Sequence, residues 1–156
     1  MPVPGTTMRS FRPQVQGVNG VVVSSHPSAS MAGLDVLRRG GNAIDAGVAV
    51  GLALNIVHVD DCGFLGVAPT IMYLADRMEV TTIDGLGVWP QAASVDYFNK
   101  NHGGKLTPGI MNSLTPAAAD SWITALSRFG TMTFGEVAST AIDLAGNGFP
   151  MFRYLA

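Results

Sequence analysis

Only one cysteine, Cys62, occurs in the 156 residues, so no intramolecular disulfide is available and the chain suits a reducing compartment. Charge is scarce as well: 13% of the residues are charged, against roughly a quarter in an ordinary soluble domain. The net charge is −2 and no basic cluster exists beyond Arg38-Arg39, which argues against nucleic acid as a partner. The uncharged run Ala46–Val57 has 12 residues, short of the about eighteen that a membrane-spanning helix needs, so no membrane partner is expected. The opening "MPVPGTTMRSFRP" has no apolar h-region, and the expected location is therefore cytoplasmic. What the chain has in quantity is hydrophobic residues, 47% of the total. That is enough for one domain with its own core, and it excludes disorder. A surface this poor in charge also implies coverage by another copy or by a partner chain.

Periodicity and turn chemistry divide the chain. The β-branched run "GVVVSS" (20–25) reads as a buried strand. A helix is expected from His26-Pro27 to about Arg39, with Met31, Leu34 and Leu37 on its apolar face and Gly40-Gly41 as its stop. Asn42 is a good N-cap and Asp45 stands where its carboxylate can answer free first-turn amides. The helix they begin runs from Ala43 to about Val57. It is apolar nearly all round and rich in small residues, with Gly47 and Gly51 marking tight packing on several sides. "HVDDCGFLG" (58–66) is a turn, and "APTIMYLAD" with "MEVTTIDGLG" forms a hairpin turning near Asp76-Arg77. Three further helices are expected: a short one in "QAASVDYFNKNHGG", one entered through Thr115-Pro116 and closed by Gly130, and one with Val137, Ile142 and Leu144 in the core. This order predicts a layered α/β (α+β) fold rather than alternating parallel units.

Chemistry is harder to find. "RRGGNAID" has neither phosphate-loop spacing, and no G-x-S-x-G elbow occurs. Ser24, Ser25 and His26 are sequence neighbours whose side chains point apart on a strand, which excludes a nucleophile–base pair. His58, Asp60, Asp61 and Cys62 crowd into five residues. Their spacing fits no zinc pattern, so capping and solvated turn groups are expected there in place of a metal. His26 and His102 lie beside turn signals and are read as surface or capping groups. No catalytic residue and no cofactor is assigned from the residues alone.

The segment "GVVVSSHPSASMAGLDVLRRGGNAIDAGVAVGLALNIV" resembles the start of the large subunit of the γ-glutamyltranspeptidase family. Gly33, Leu37, Gly40, Gly41, Asn42, Ala43, Asp45, Ala46, Val48 and Ala49 fall on the pattern A-x-x-G-x-x-x-L-x-x-G-G-N-A-x-D-A-x-V-A. The likeness continues through "CGFLG", "IDGLGVWPQAAS", "LTPAAADSWITAL", "RFGTM" and "AIDLAGNGFP". It implies a portion of an N-terminal-nucleophile hydrolase αββα sandwich, with residues 1–19 an extended segment and 20–156 the N-terminal part of the large subunit. It also implies autoprocessing, and acyl transfer from an amide to water or to an amine by the N-terminal threonine of a small subunit. That threonine lies outside this chain. Thr6, in "PGTT", is not its equivalent, because everything after Thr6 matches the large subunit.

One departure bears on substrate. True transpeptidases carry an arginine in D-x-R-E-x-A-P that grips the glutamyl α-carboxylate. The run here is Asp84-Gly85-Leu86-Gly87-Val88-Trp89-Pro90, with Leu86 in the arginine position, and leucine cannot make a bidentate carboxylate contact. The chain therefore looks closer to the transpeptidase-like amidohydrolases and acylases. The expected substrate-binding residues are Leu86, Gly87 and Trp89 as a less polar acyl-pocket wall, with Cys62 and Gly63 as an adjoining backbone turn; Leu86 and Trp89 are read equally well as core at a strand end. The implied partners are a small-molecule amide, the remaining large-subunit segment and the threonine-bearing small subunit, in an oligomer. Two rivals remain at this point: a non-catalytic scaffold or partner-binding subunit of the same fold, and a small metalloprotein using His58, Asp60 and Cys62.

Overall fold

Asn42 starts the helix around which the chain is assembled. Its side chain accepts the amides of Ile44 and Asp45, and its own amide donates to the Asp45 carboxylate, a reciprocal capping box. In the computed structural model, which describes residues 14–153 and 155, five α-helices and two strands follow one another, with a short 3-10 turn at Ile110–Asn112 before the fourth helix. They are α1 (Pro27–Arg38), α2 (Ala43–Val57), β1 (Thr70–Leu74), β2 (Glu79–Ile83), α3 (Val95–His102), α4 (Ala118–Phe129) and α5 (Phe134–Asn147). Thr6 and most of the expected N-terminal segment lie outside the described residues.

Helix α2 is the hub: α1, α4 and α5 all pack on it, burying Ala46, Val48, Ala49, Leu52, Ala53 and Val57. Its all-round apolarity is thus accounted for by neighbours on several sides. The closest approach is made possible by Gly33, where a Cβ would fall 2.6 Å from Val50 and 3.1 Å from the Ala46 carbonyl. Gly51 is likewise closed off by the Trp122 ring, but Gly47 faces open space, so only half of the small-residue pair reflects tight packing.

The hairpin pairs β1 and β2 antiparallel, with Met72 opposite Thr81 and Tyr73 opposite Val80. Alternation puts Met72 and Leu74 inward, where both are buried, and leaves Ile71, Tyr73 and Val80 exposed on the other face.

Four expectations are corrected. Residues 20–25 form no strand: a strand needs a partner for its backbone, and the two described strands pair with each other. Helix α1 buries Ala29, Ala32, Gly33 and Val36, while Met31 is 49% exposed, because close contact with α2 selects the small stripe over the bulky one. Helix α4 begins at Ala118, not at Thr115-Pro116; the amides of Ala117 and Ala118 donate to the Gly66 carbonyl, and no side chain caps them. Ile142 points outward on α5, whose inner face is Val137, Ala138 and Ala141.

His26 does cap α1, its Nδ1 accepting the Ser28 amide, but it is buried and not at the surface. His102 ends α3 with its ring against Tyr97 and Phe98.

Candidate functional site

Three loops converge at the start of α4. From the 58–69 turn, the Gly66 carbonyl accepts the amides of Ala117 and Ala118 at 3.2 and 3.1 Å. The Ala68 amide donates to the Gly85 carbonyl at 2.8 Å, and the Thr115 amide donates to the Val88 carbonyl at 2.9 Å. These bonds lash the turn holding Cys62 and Gly63, the run Asp84–Pro90 and the approach to α4 into one unit.

Two glycines set the path of the middle strand of this lacing. Gly85 and Gly87 have φ of +57° and +87°, a region L side chains avoid. A Cβ at Gly85 would lie 2.1 Å from the Ala68 carbonyl, and one at Gly87 would lie 2.0 Å from the Thr115 carbonyl. The chain is therefore turned twice within three residues, with Leu86 carried between the two turns. Leu86 is 45% exposed and Trp89 is 42% exposed. Both side chains are thus exposed among the described residues.

Beneath the lacing sits Ser121, buried on the inner stripe of α4 with Ala118, Ala125 and Leu126. Its Oγ donates to the Ala68 carbonyl at 2.7 Å, and Thr70 Oγ1 donates to the same oxygen at 3.0 Å. Both hydroxyls hold the residue whose amide fixes Gly85. A serine at i+3 from Ala118, on an otherwise apolar stripe, is the sequence signal that marks this position. Removing the hydroxyl in Ser121→Ala leaves the carbonyl with Thr70 alone and is expected to cost about 1–2 kcal/mol, read as a shifted urea midpoint at unchanged slope.

The structure distributes the expected site residues unevenly. Gly87 and Leu86 lie in the lacing itself. Cys62 stays next to the turn, its amide donating to the His58 carbonyl at 2.9 Å, and Gly63 accepts the Gly66 amide at 2.9 Å. Burial, together with the Asp61 and Asp60 carboxylates, pushes the Cys62 thiol above its ordinary range. It is protonated at neutral pH and a poor nucleophile. His58 Nδ1 lies 2.9 Å from Asp60 Oδ1. Among the described residues no three His, Cys, Asp or Glu side chains are grouped to hold a metal ion. Trp89 leaves the lacing and packs against α3, edge-on to Phe98 at 5.9 Å between ring centres.

A second polar centre carries structure instead of chemistry. Asp45 is fully buried at the α2 start, yet it accepts the Thr131 hydroxyl at 2.6 Å, the Thr131 amide at 2.9 Å and the Met132 amide at 3.2 Å, besides its own cap bond. Asn42 Nδ2 adds a bond to the Phe129 carbonyl at 2.7 Å. Burial alone would raise the Asp45 carboxyl. The Thr131 hydroxyl and the three backbone amides outweigh it and hold the group below the ordinary carboxylate range. "GGNAID" and "RFGTM" are thus two halves of one clamp between α2 and the α4–α5 turn.

Comparisons with known proteins agree with this reading of the motifs. A family profile described as Gamma-glutamyltranspeptidase matches residues 29–156. The Acylase ACY 1 proenzyme of Pseudomonas sp. (strain V22) is 36% identical over 168 residues, covering 99% of this chain and 30% of that protein. Among solved structures, the γ-glutamyltranspeptidase of Helicobacter pylori superimposes with a TM-score of 0.77 at 32% identity, over 88% of this chain and 40% of that one. The cephalosporin acylase of Bacillus halodurans superimposes with a TM-score of 0.84 at 27% identity, over 99% and 29%. The chain spans less than a third of the length of the curated relatives it matches, 30% of the acylase and 25% of the Glutathione hydrolase proenzyme of Bacillus subtilis (strain 168). On profile, sequence and fold together, it belongs to the γ-glutamyltranspeptidase family.

Proposed function

We propose that this chain is the N-terminal part of the large subunit of a γ-glutamyltranspeptidase-like amidohydrolase or acyltransferase, and that it forms one wall of the acyl pocket. The sandwich in which it works is the αββα layering of N-terminal-nucleophile hydrolases. The hairpin, with Met72 and Leu74 turned to the helices and Ile71, Tyr73 and Val80 left exposed, supports this reading as part of one sheet whose second face awaits another layer. The partners are the rest of the large subunit and a small subunit that begins with threonine, the latter generated by autoprocessing; relatives designated proenzymes fit that arrangement.

In the proposed reaction the threonine hydroxyl adds to the amide carbonyl carbon while its own α-amine takes the hydroxyl proton. The C–N bond breaks, the leaving amine receives that proton, and the acyl ester is then passed to water or to an acceptor amine. This chain supplies neither nucleophile nor base. Its contribution is shape and polarity: Leu86 and Gly87, held by the double turn, with Trp89 beyond them and the Cys62-Gly63 turn alongside.

The observation that carries the proposal is Leu86 carried between two left-handed glycines whose Cβ positions are blocked, at the position where the resemblance puts the family arginine. An acyl group without an α-amino acid head follows, because an α-carboxylate placed there would meet a methyl-bearing side chain and no fork of donors. The test is the substrate preference of the processed enzyme and of Leu86→Arg, measured as kcat/KM on an amide of a simple acid and on a γ-glutamyl amide. The wild type is expected to favour the simple acid, and Leu86→Arg to shift the ratio toward the glutamyl amide by about tenfold or more, the worth of one charge-assisted contact. A wild type that prefers the glutamyl amide overturns the reading.

A further inference from the structure

Beyond Leu86 the chain runs into a group of aromatic side chains around α3. Trp89 stands between two clefts formed against α3, of about 280 and 290 Å³. The larger is walled by Trp89, Pro90, Tyr97, Phe98, Ile110 and Met111, and no charged side chain lines it. Its rings are set edge to face: Trp89 against Phe98 with planes at 78°, Tyr97 against Phe98 at 90°. Such an arrangement offers both ring faces and ring edges to a further aromatic group.

The walls are open to a ligand. Helix α3 has no buried residue, Ile110 is 83% exposed, and Tyr97 and Trp89 are 39% and 42% exposed. Rings and aliphatic side chains therefore stand at the surface of the described residues around an apolar cleft, the lining an aromatic subsite needs.

Position selects the occupant. Trp89 follows Leu86 by three residues, so the cleft begins within at most about 10 Å of the residue that replaces the carboxylate-gripping arginine. A volume near 290 Å³ lies at the small end for ligand pockets and suits one ring and its linker, not a whole drug-sized molecule. Leu86 and the wall of the larger cleft carry no charge to pair with a zwitterionic tail, whereas Lys105 lines the smaller cleft.

We infer that the cleft between Trp89 and α3 receives the aromatic end of an arylalkyl acyl group, phenylacetyl being the simplest member of the class. The inference rests on the acyl-pocket reading above and extends it from what the substrate lacks to what it carries.

The experiment uses the natural assembly and 4-azidophenylacetamide as a photolabel, with labelled peptides located by mass spectrometry. The same preparation is assayed for ammonia release from phenylacetamide and acetamide. Label is expected on Trp89, Phe98 or Ile110, reduced at least tenfold by excess phenylacetamide and unchanged by acetamide, and reduced to the same degree in Ile110→Asn, a change at an exposed position that does not threaten folding. Label placed elsewhere, or competition by acetamide as effective as that by phenylacetamide, overturns the inference. Specific labelling of the cleft without turnover of either amide would overturn the amidohydrolase reading while leaving the aromatic cleft established as a binding site.

Discussion

Replacing Asp45 with alanine is expected to destabilise the protein by about 3–5 kcal/mol, a large share of the whole stability of an ordinary domain. The reason is the number of donors left behind. The Asn42 and Met132 amides and both Thr131 donors converge on one fully buried carboxylate, and a buried donor without an acceptor forfeits its hydration with no return. Asp45→Asn keeps the shape but replaces one acceptor oxygen by a donor, so it is expected to recover only part of the loss.

The pH dependence follows with a definite sign. Because the folded-state carboxyl is held below its ordinary value, the stability it supplies is fully present above the unfolded value, near pH 4. That stability is lost as pH falls through the lower folded value. Urea unfolding at a series of pH values is therefore expected to show the gap between wild type and Asp45→Asn at its widest near neutrality and narrowing below about pH 4. A gap independent of pH would mean that Asp45 contributes packing and no charge.

The second large effect is expected at Gly87. Gly87→Ala combines a left-handed backbone with a Cβ 2.0 Å from the Thr115 carbonyl, and the expected cost is about 2–4 kcal/mol. The function should suffer more than the stability. The Thr115–Val88 bond and the Ala68–Gly85 bond position Leu86 from both sides, and relief of the clash must move that run. A displacement near 1 Å in a substrate-positioning group can cost about 10²-fold in rate. The processed Gly87→Ala enzyme is accordingly expected to lose kcat/KM on the amide by about that factor at a temperature where it remains folded by circular dichroism. Full activity in a folded Gly87→Ala enzyme would remove the Asp84–Pro90 run from the acyl site.

How far the sequence spoke for itself depended on whether a feature was local. Helix α2 was readable to the residue because Asn42 and Asp45 settle its start within one turn, and that chemistry needs no distant partner. The hairpin was readable for the same reason: alternation and the turn at Asp76-Arg77 are neighbours in the chain. The run 20–25 shows the opposite case. Its β-branched residues favour extended backbone, but a strand exists only where another strand accepts its bonds. The α4 start moved for a related cause, since the Gly66 carbonyl, some fifty residues earlier in the chain, takes the amides that Thr115-Pro116 would have capped.

The candidate site divides in the same way. That Leu86 stands where an arginine is usual was visible only through the resemblance of "DGLGVWP" to a family pattern; no spacing rule reveals a missing arginine. The double left-handed turn around it was implicit in Gly85 and Gly87 but needed the Ala68 and Thr115 carbonyls to become an argument. Asp45 was legible as a cap and not as a clamp, because its other partners lie 86 and 87 residues away. Ser121 is legible on the stripe Ala118–Ser121–Ala125 only as a hydroxyl among buried apolar residues; such a group needs a nearby carbonyl to receive it, and Ala68, which supplies it, is 53 residues away.

The proposed chemistry requires a second chain. Native mass spectrometry of the protein purified from its own cell, with denatured masses and N-terminal sequences of every chain in the same sample, tests this directly. The account predicts a stable complex in which this segment belongs to one chain and the other begins with threonine. A homogeneous species with no threonine-initiated partner would contradict it, and would leave the scaffold without the nucleophile that its acyl-pocket wall is proposed to serve.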